Sequence, residues 1–107
     1  APGGVVRAAA FDEESEDILS AALESSHLGK VLVLPPELSR SLRDALAHLY
    51  LATDVRVLFT RPELRRPLAR FARALPAPAI LAPGELDDAI RVELVDDVTL
   101  EDARGAA

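Results

Sequence analysis

The sequence predicts an α/β domain with a mainly parallel sheet of four to five strands, about three helices and an edge strand at the C-terminus. Three observations carry this. Short apolar runs recur along the 107 residues, and segments of helical period separate them. The runs KVLVL (30–34) and VRVLF (55–59) are nearly continuous, as in strands covered on both faces. The last run, from Ala89 to Val95, alternates Ile90, Val92 and Leu94 with Arg91 and Glu93, as in a half-exposed edge strand, for which an antiparallel pairing is expected.

Val5 to Ala10 is the first strand. Asp12 caps a helix whose first turn is crowded with acids, where the helix dipole favours them. Ile18, Leu19, Ala22 and Leu23 form one apolar stripe of that helix, and Gly29 ends the segment. Lys30 to Leu34 is expected as a short buried strand. Pro35-Pro36 stops it and opens a second helix to about residue 51, because a proline at the first helical position sacrifices only an unpaired N–H. Leu38, Leu42, Ala45, Leu46 and Leu49 mark its buried side. Asp54 to Phe59 is the clearest strand, with Val55, Val57 and Phe59 on one face and Leu58 on the other. Thr60-Arg61-Pro62-Glu63 matches the capping box T-x-x-E and predicts a third helix, buried through Leu64, Leu68, Phe71, Ala72 and Leu75. Pro67 falls inside that helix and predicts a kink or an irregular first turn. Ala79 to Ala82 is a fourth strand, and Gly84-Glu85-Leu86 a turn. The whole of 1–107 is expected as a single domain, with 1–4 and 103–107 as flexible ends.

Composition excludes several classes of function. Cysteine is absent, so there is no disulfide framework and no thiolate metal site. No apolar run approaches the length of a membrane span, and APGG lacks the features of a signal peptide. Met is absent at every position, the first included, which leaves a fragment of a longer chain and a removed initiator both open. The aromatic residues are Phe11, Tyr50, Phe59 and Phe71, too few to stack nucleic-acid bases. The net charge of −6 also disfavours nucleic acid. The charge is segregated. Residues 11–26 carry Asp12, Glu13, Glu14, Glu16, Asp17 and Glu24 with no base. Residues 55–74 carry Arg56, Arg61, Arg65, Arg66, Arg70 and Arg73 against Glu63, and residues 85–102 are acidic except for Arg91. Such asymmetry suggests contacts between charged faces, among copies or with a partner.

Catalytic motifs are not found. Asp87-Asp88 and Asp96-Asp97 are sequence neighbours, which point apart on a strand and do not converge as an acid/base pair. His27 and His48 have no metal-ligand partner at useful spacing. No serine sits in G-x-S-x-G, and no glycine-rich phosphate loop occurs. A receiver-type phosphoacceptor reading fails because Thr60-Arg61 stands where the acceptor aspartate would be. No cofactor and no metal is expected. Arg66, Arg70 and Arg73 fall at i, i+4 and i+7, one exposed helix face. Such a face is most simply a solvated surface, and otherwise a partner or anion surface.

VLFTRPELRRPL, followed by AILAPGEL and an alternating acidic strand, resembles the end of the cytoplasmic region of the export-gate large subunit (FHIPEP family) of flagellar and virulence type III secretion systems. Thr60, Pro62, Glu63, Leu64 and Arg65 match the family's T/S-x-P-[DE]-[IL]-R segment. Ile80, Leu81, Glu85 and Leu86 match its later strand-turn. FDEESEDILSAAL and VLPPELSRSLRDAL resemble the two preceding helices. Ala82, Pro83-Gly84 and Pro67 depart from the usual pattern and lean towards a virulence-type system. The resemblance implies a non-enzymatic module on the cytoplasmic face of the bacterial inner membrane, part of a larger membrane protein that meets the membrane only through upstream segments. It implies a nonameric ring in the full-length protein and partners among export-apparatus proteins and chaperone–substrate complexes. Thr60, Pro62, Glu63, Arg65 and Glu85 are then expected as a structural motif, with Arg65 anchoring the helix to a carboxylate such as Glu85. Arg66, Arg70 and Arg73 are expected as a candidate partner surface. The competing readings are a stand-alone regulatory or scaffold domain and an anion-binding domain using the arginine helix.

Overall fold

Asp12 turns the chain from its first strand into its first helix. Its Oδ1 accepts the N–H of Ser15 at 2.8 Å, satisfying one of the free donors of the helix N-terminus. From that junction the computed structural model, which describes residues 5–100, follows the order β1 (Val5–Phe11), α1 (Glu13–Ala21), β2 (Leu23–Ser26), β3 (Gly29–Leu32), α2 (Pro36–Ala52), β4 (Val57–Phe59), α3 (Pro62–Phe71), β5 (Ala79–Leu81) and β6 (Arg91–Val98). The expected flexible ends, 1–4 and 103–107, lie outside the described residues.

Four strands form one parallel sheet in the order β5-β4-β1-β6. Ala9, Leu58 and Ile80 are in register across it and face the helices. Against them pack Leu19 of α1, Leu42, Leu46 and Leu49 of α2, and Leu64 and Leu68 of α3, all buried. The strand β1 contributes Ala9 and Phe11 to this core, and the small size of Ala9 lets the helices lie close. Deleting one of the large buried side chains costs about 2–5 kcal/mol in such a core.

The path from β1 to β4 to β5 runs in one direction, with the helices on one face. The connection from β5 to β6 runs back past β4 and β1. The right-handed crossover rule places it on the opposite face, where Pro83, Gly84, Leu86, Asp87, Asp88 and Ile90 lie over Ala10 and Phe59.

Three expectations are corrected. Residues 30–34 do not form a strand of the main sheet: Gly29–Leu32 pairs antiparallel with Leu23–Ser26 as a separate hairpin. The first helix therefore stops at Ala21, and Leu23 belongs to the hairpin. Gly29 adopts φ +100° at the turn, a conformation glycine takes without a Cβ penalty. Ser26 Oγ fastens that turn, donating to the Gly29 carbonyl and accepting from the Leu28 N–H. A short apolar run carries no information about which strand it will pair with. Secondly, β6 runs to Val98 and is parallel to β1, because the chain crosses the sheet before entering it. A bulge lies between the pairs Ala8–Leu94 and Ala9–Asp96. Thirdly, the capping box does not form: Arg61 is the N-cap, Pro62 opens the helix, and no side chain of that motif caps it. As expected, Pro67 falls inside α3, where it is buried, and the helix continues through it to Phe71. Proline there removes one N–H, so the Glu63 carbonyl, one turn earlier and near the solvent-exposed start of the helix, loses its usual partner.

Candidate functional site at the strand ends

In a parallel sheet all carboxyl ends open on one edge, and that is where ligands of open α/β sheets bind. Here the edge is filled by a network of side chains that ties the four strands to the helices. Glu16 stands at its centre. Its Oε2 accepts the Thr60 hydroxyl at 3.0 Å and the Arg61 backbone N–H at 2.8 Å. The carboxylate thus supplies the cap that α3 lacks in its own sequence. Arg61 returns the contact: its Nη2 donates to Asp17 Oδ1 at 2.7 Å and its Nη1 to Ser20 Oγ at 3.3 Å, while Nε lies 3.7 Å from Glu16 Oε1. The Asp17 carboxylate raises the Arg61 pKa further above its ordinary value. One arginine therefore seats the start of α3 on three neighbouring side chains of α1, Glu16, Asp17 and Ser20.

The second tie joins α3 to the turn after β5. Arg65 Nε donates to Glu85 Oε1 at 2.7 Å, and the same oxygen accepts the Ala82 N–H at 2.7 Å. The Glu85 N–H closes the turn onto the Ala82 carbonyl at 3.2 Å. Pro83 and Gly84, the latter at φ +92°, occupy the two central positions that suit a type II turn. The Ala82 N–H, then Arg65, holds the Glu85 carboxyl below its ordinary 4.5.

The third tie joins β6 to α1. Asp12 Oδ2 accepts the Thr99 hydroxyl at 2.6 Å, and the buried Ser15 Oγ accepts the Leu100 N–H at 2.8 Å. Hydrogen bonds from Ser15 and Thr99 hold the Asp12 carboxyl below its ordinary 3.8.

The structure thus brings together Arg65 and Glu85 from the sequence motif, and it buries Thr60 beside them as a donor to Glu16 and to no residue of its own helix. Pro62 occupies the first helical position, and Glu63 is an exposed acid of the first turn. Arg66, Arg70 and Arg73 are exposed. Arg70 reaches the Leu28 carbonyl of the hairpin at 3.5 Å, whereas no hydrogen bond or ion pair engages the side chains of Arg66 and Arg73 among the described residues. Sequence reasoning missed Glu16, Asp17 and Arg61. A signal was present: a helix opened by proline after arginine has no side-chain cap of its own, so a carboxylate from elsewhere had to meet its donors.

Among the described residues no cluster of His, Asp and Glu could hold a metal, and every buried side-chain polar atom has a hydrogen-bond partner. A cavity of about 230 Å³ remains beside the network, lined by Ala10, Glu16, Phe59, Thr60, Arg61, Pro62 and Pro83. Its polar atoms are directed at one another. The arrangement defines an α/β domain whose polar site is a joint between elements.

No protein-family model and no curated protein matches the chain. Solved structures do. The C-terminal domain of InvA matches at 27% identity and TM-score 0.71, over 92% of this chain and 32% of that one. The MxiA protein of Shigella flexneri matches at 16% identity and TM-score 0.73, over 92% of this chain and 32% of that one. Nonameric EPEC SctV-C matches at 17% identity and TM-score 0.72, over 92% of this chain and 30% of that one. These are C-terminal cytoplasmic domains of export-gate subunits of the FHIPEP family, the family that the sequence resembles, and the chain has their fold. It spans less than a third of the length of each.

Proposed function

We propose that the chain is the C-terminal cytoplasmic subdomain of an export-gate subunit of a type III protein secretion system. It acts without catalysis, as one part of an oligomeric ring at the bacterial inner membrane, and helps receive and select chaperone–substrate complexes. One observation carries this reading: the two segments that bear the family resemblance, 60–65 and 79–86, meet through Arg65, Glu85 and Ala82 on a fold shared with the export-gate domains over 92% of the chain. The nonameric state of EPEC SctV-C supports the ring. Among the described residues no helix is long and apolar enough to cross a membrane. Arg66 and Arg73, exposed beside Arg70, are the surface offered to partners.

The test is made in the native cell. An antibody to the domain should find it in the membrane fraction, on a band several times the mass of the 11.4 kDa chain. An in-frame deletion of these residues should stop secretion of the system's substrates into the medium. A soluble band of the chain's own mass, or secretion that continues after the deletion, would sink the reading.

A further inference from the structure

The sheet face opposite the helices carries a groove of about 500 Å³. Its floor is Ala10 and Phe59, and its walls are Leu86 from the β5–β6 connection and Ile90, Val92 and Leu94 beside and on β6. Ile90, Val92 and Leu94 are 39%, 40% and 59% exposed, a large apolar cost for a surface that binds nothing. Two further features sit on the same side. β6 is an edge strand, paired to β1 on one side and to no strand on the other among the described residues. The rim is acidic: Asp87 and Asp88 line the groove and Asp97 of β6 is in register with the floor residue Ala10, while Asp96, in register with Ala9, stands on the other face of the same edge. No ion pair engages any of these four acids among the described residues, and Arg91 is the one cation between residues 85 and 98. Glu93, the remaining acid of β6, is held by Arg7 at 3.1 Å.

We propose that this face docks an extended peptide segment in which aliphatic residues alternate with arginine or lysine. The alternation follows from the strand period: aliphatic side chains enter the groove, and the peptide backbone pairs with the free edge of β6. On the added strand the cations point to the other face, where Asp96 stands in register with Ala9, while Asp87, Asp88 and Asp97 on the groove side add a negative field that favours a cationic segment and speeds encounter. Two copies of this chain meeting edge to edge would set these acids against one another, which disfavours self-pairing. The groove lies on the opposite face from the helix core, and its role does not depend on the export-gate reading.

Fluorescence anisotropy of the 107-residue chain with the labelled synthetic peptide KVRLRVK tests it. Saturable binding is expected, weakening as salt rises and absent for the acidic counterpart EVELEVE. Leu94→Thr, which keeps strand propensity and removes apolar wall, should weaken binding about tenfold. The combined Asp87→Asn, Asp88→Asn and Asp97→Asn variant, altered only at exposed positions, should weaken it and flatten the salt dependence. The proposal is overturned if KVRLRVK does not bind, if EVELEVE binds equally well, or if Leu94→Thr leaves the affinity unchanged. It is also overturned if the chain alone sediments as a dimer that Leu94→Thr dissolves, for then a second copy is the occupant.

Discussion

Glu16 stands at the centre of the strand-end network. It satisfies the Thr60 hydroxyl and the Arg61 N–H from a half-buried position. Glu16→Ala should cost about 1–2 kcal/mol, the loss of a helix cap; thermal melting measures it, and an unchanged midpoint would show the cap to be idle. Arg65→Ala should lower the melting midpoint by a few degrees, because Glu85 then holds its turn through the Ala82 N–H alone. An unaltered midpoint would remove Arg65 as an anchor. Acid should undo the same ties. Asp12 and Glu85 both have folded pKa values below their ordinary 3.8 and 4.5. Each therefore stabilises the fold fully above its unfolded pKa, and that contribution is lost as pH falls through the folded value. The melting midpoint should be level above about pH 5 and fall below about pH 4, and the double variant Asp12→Asn, Glu85→Gln should flatten that acid limb. A limb equally steep in the variant would assign acid sensitivity to other carboxylates.

Among the elements, the turn after β5 is the one whose backbone its residues dictate most directly. Gly84 at φ +92° has nothing within 4 Å of an added Cβ, so any cost of Gly84→Ala is conformational and not steric. It should destabilise by about 1 kcal/mol, readable in a urea titration, whereas a neutral result would mean that the turn rearranges. The third helix shows why its start was misread. T-x-x-E is a local pattern, and Pro62 lets it begin a residue late, after which Thr60 turns to Glu16 of another helix. The hairpin shows a different failure. Val31 and Leu32 were legible as strand, yet their partner is Leu23–Ser26, a segment whose helical spacing had absorbed Leu23.

For the whole molecule, charge is distributed by strand order. The arginines of α3 lie by β5 at one edge of the sheet, and the acids of β6 line the other. Replacing Arg66, Arg70 and Arg73 together by glutamate should leave the fold intact, because they are exposed and outside the core. Under the proposed function the same change in the native gene should reduce secretion; a folded variant that secretes normally would show that this face is solvated surface and nothing more.

The alternation of apolar runs and helical stripes was enough to predict an α/β domain with a parallel sheet, three helices and their buried leucines, because burial acts residue by residue along a periodic backbone. The segments 60–65 and 79–86 were enough to predict the family whose fold the chain shares. Pairing partners were not legible: whether β6 joins β1 in parallel, and whether residues 29–32 enter the sheet or a hairpin, depends on chain crossings between distant residues. The site lay between these limits. Arg65 and Glu85 stood inside recognisable segments, but Glu16, Asp17 and Arg61 meet only because α1 and α3 pack side by side, and a carboxylate forty-four residues away from its donor leaves no local trace in sequence.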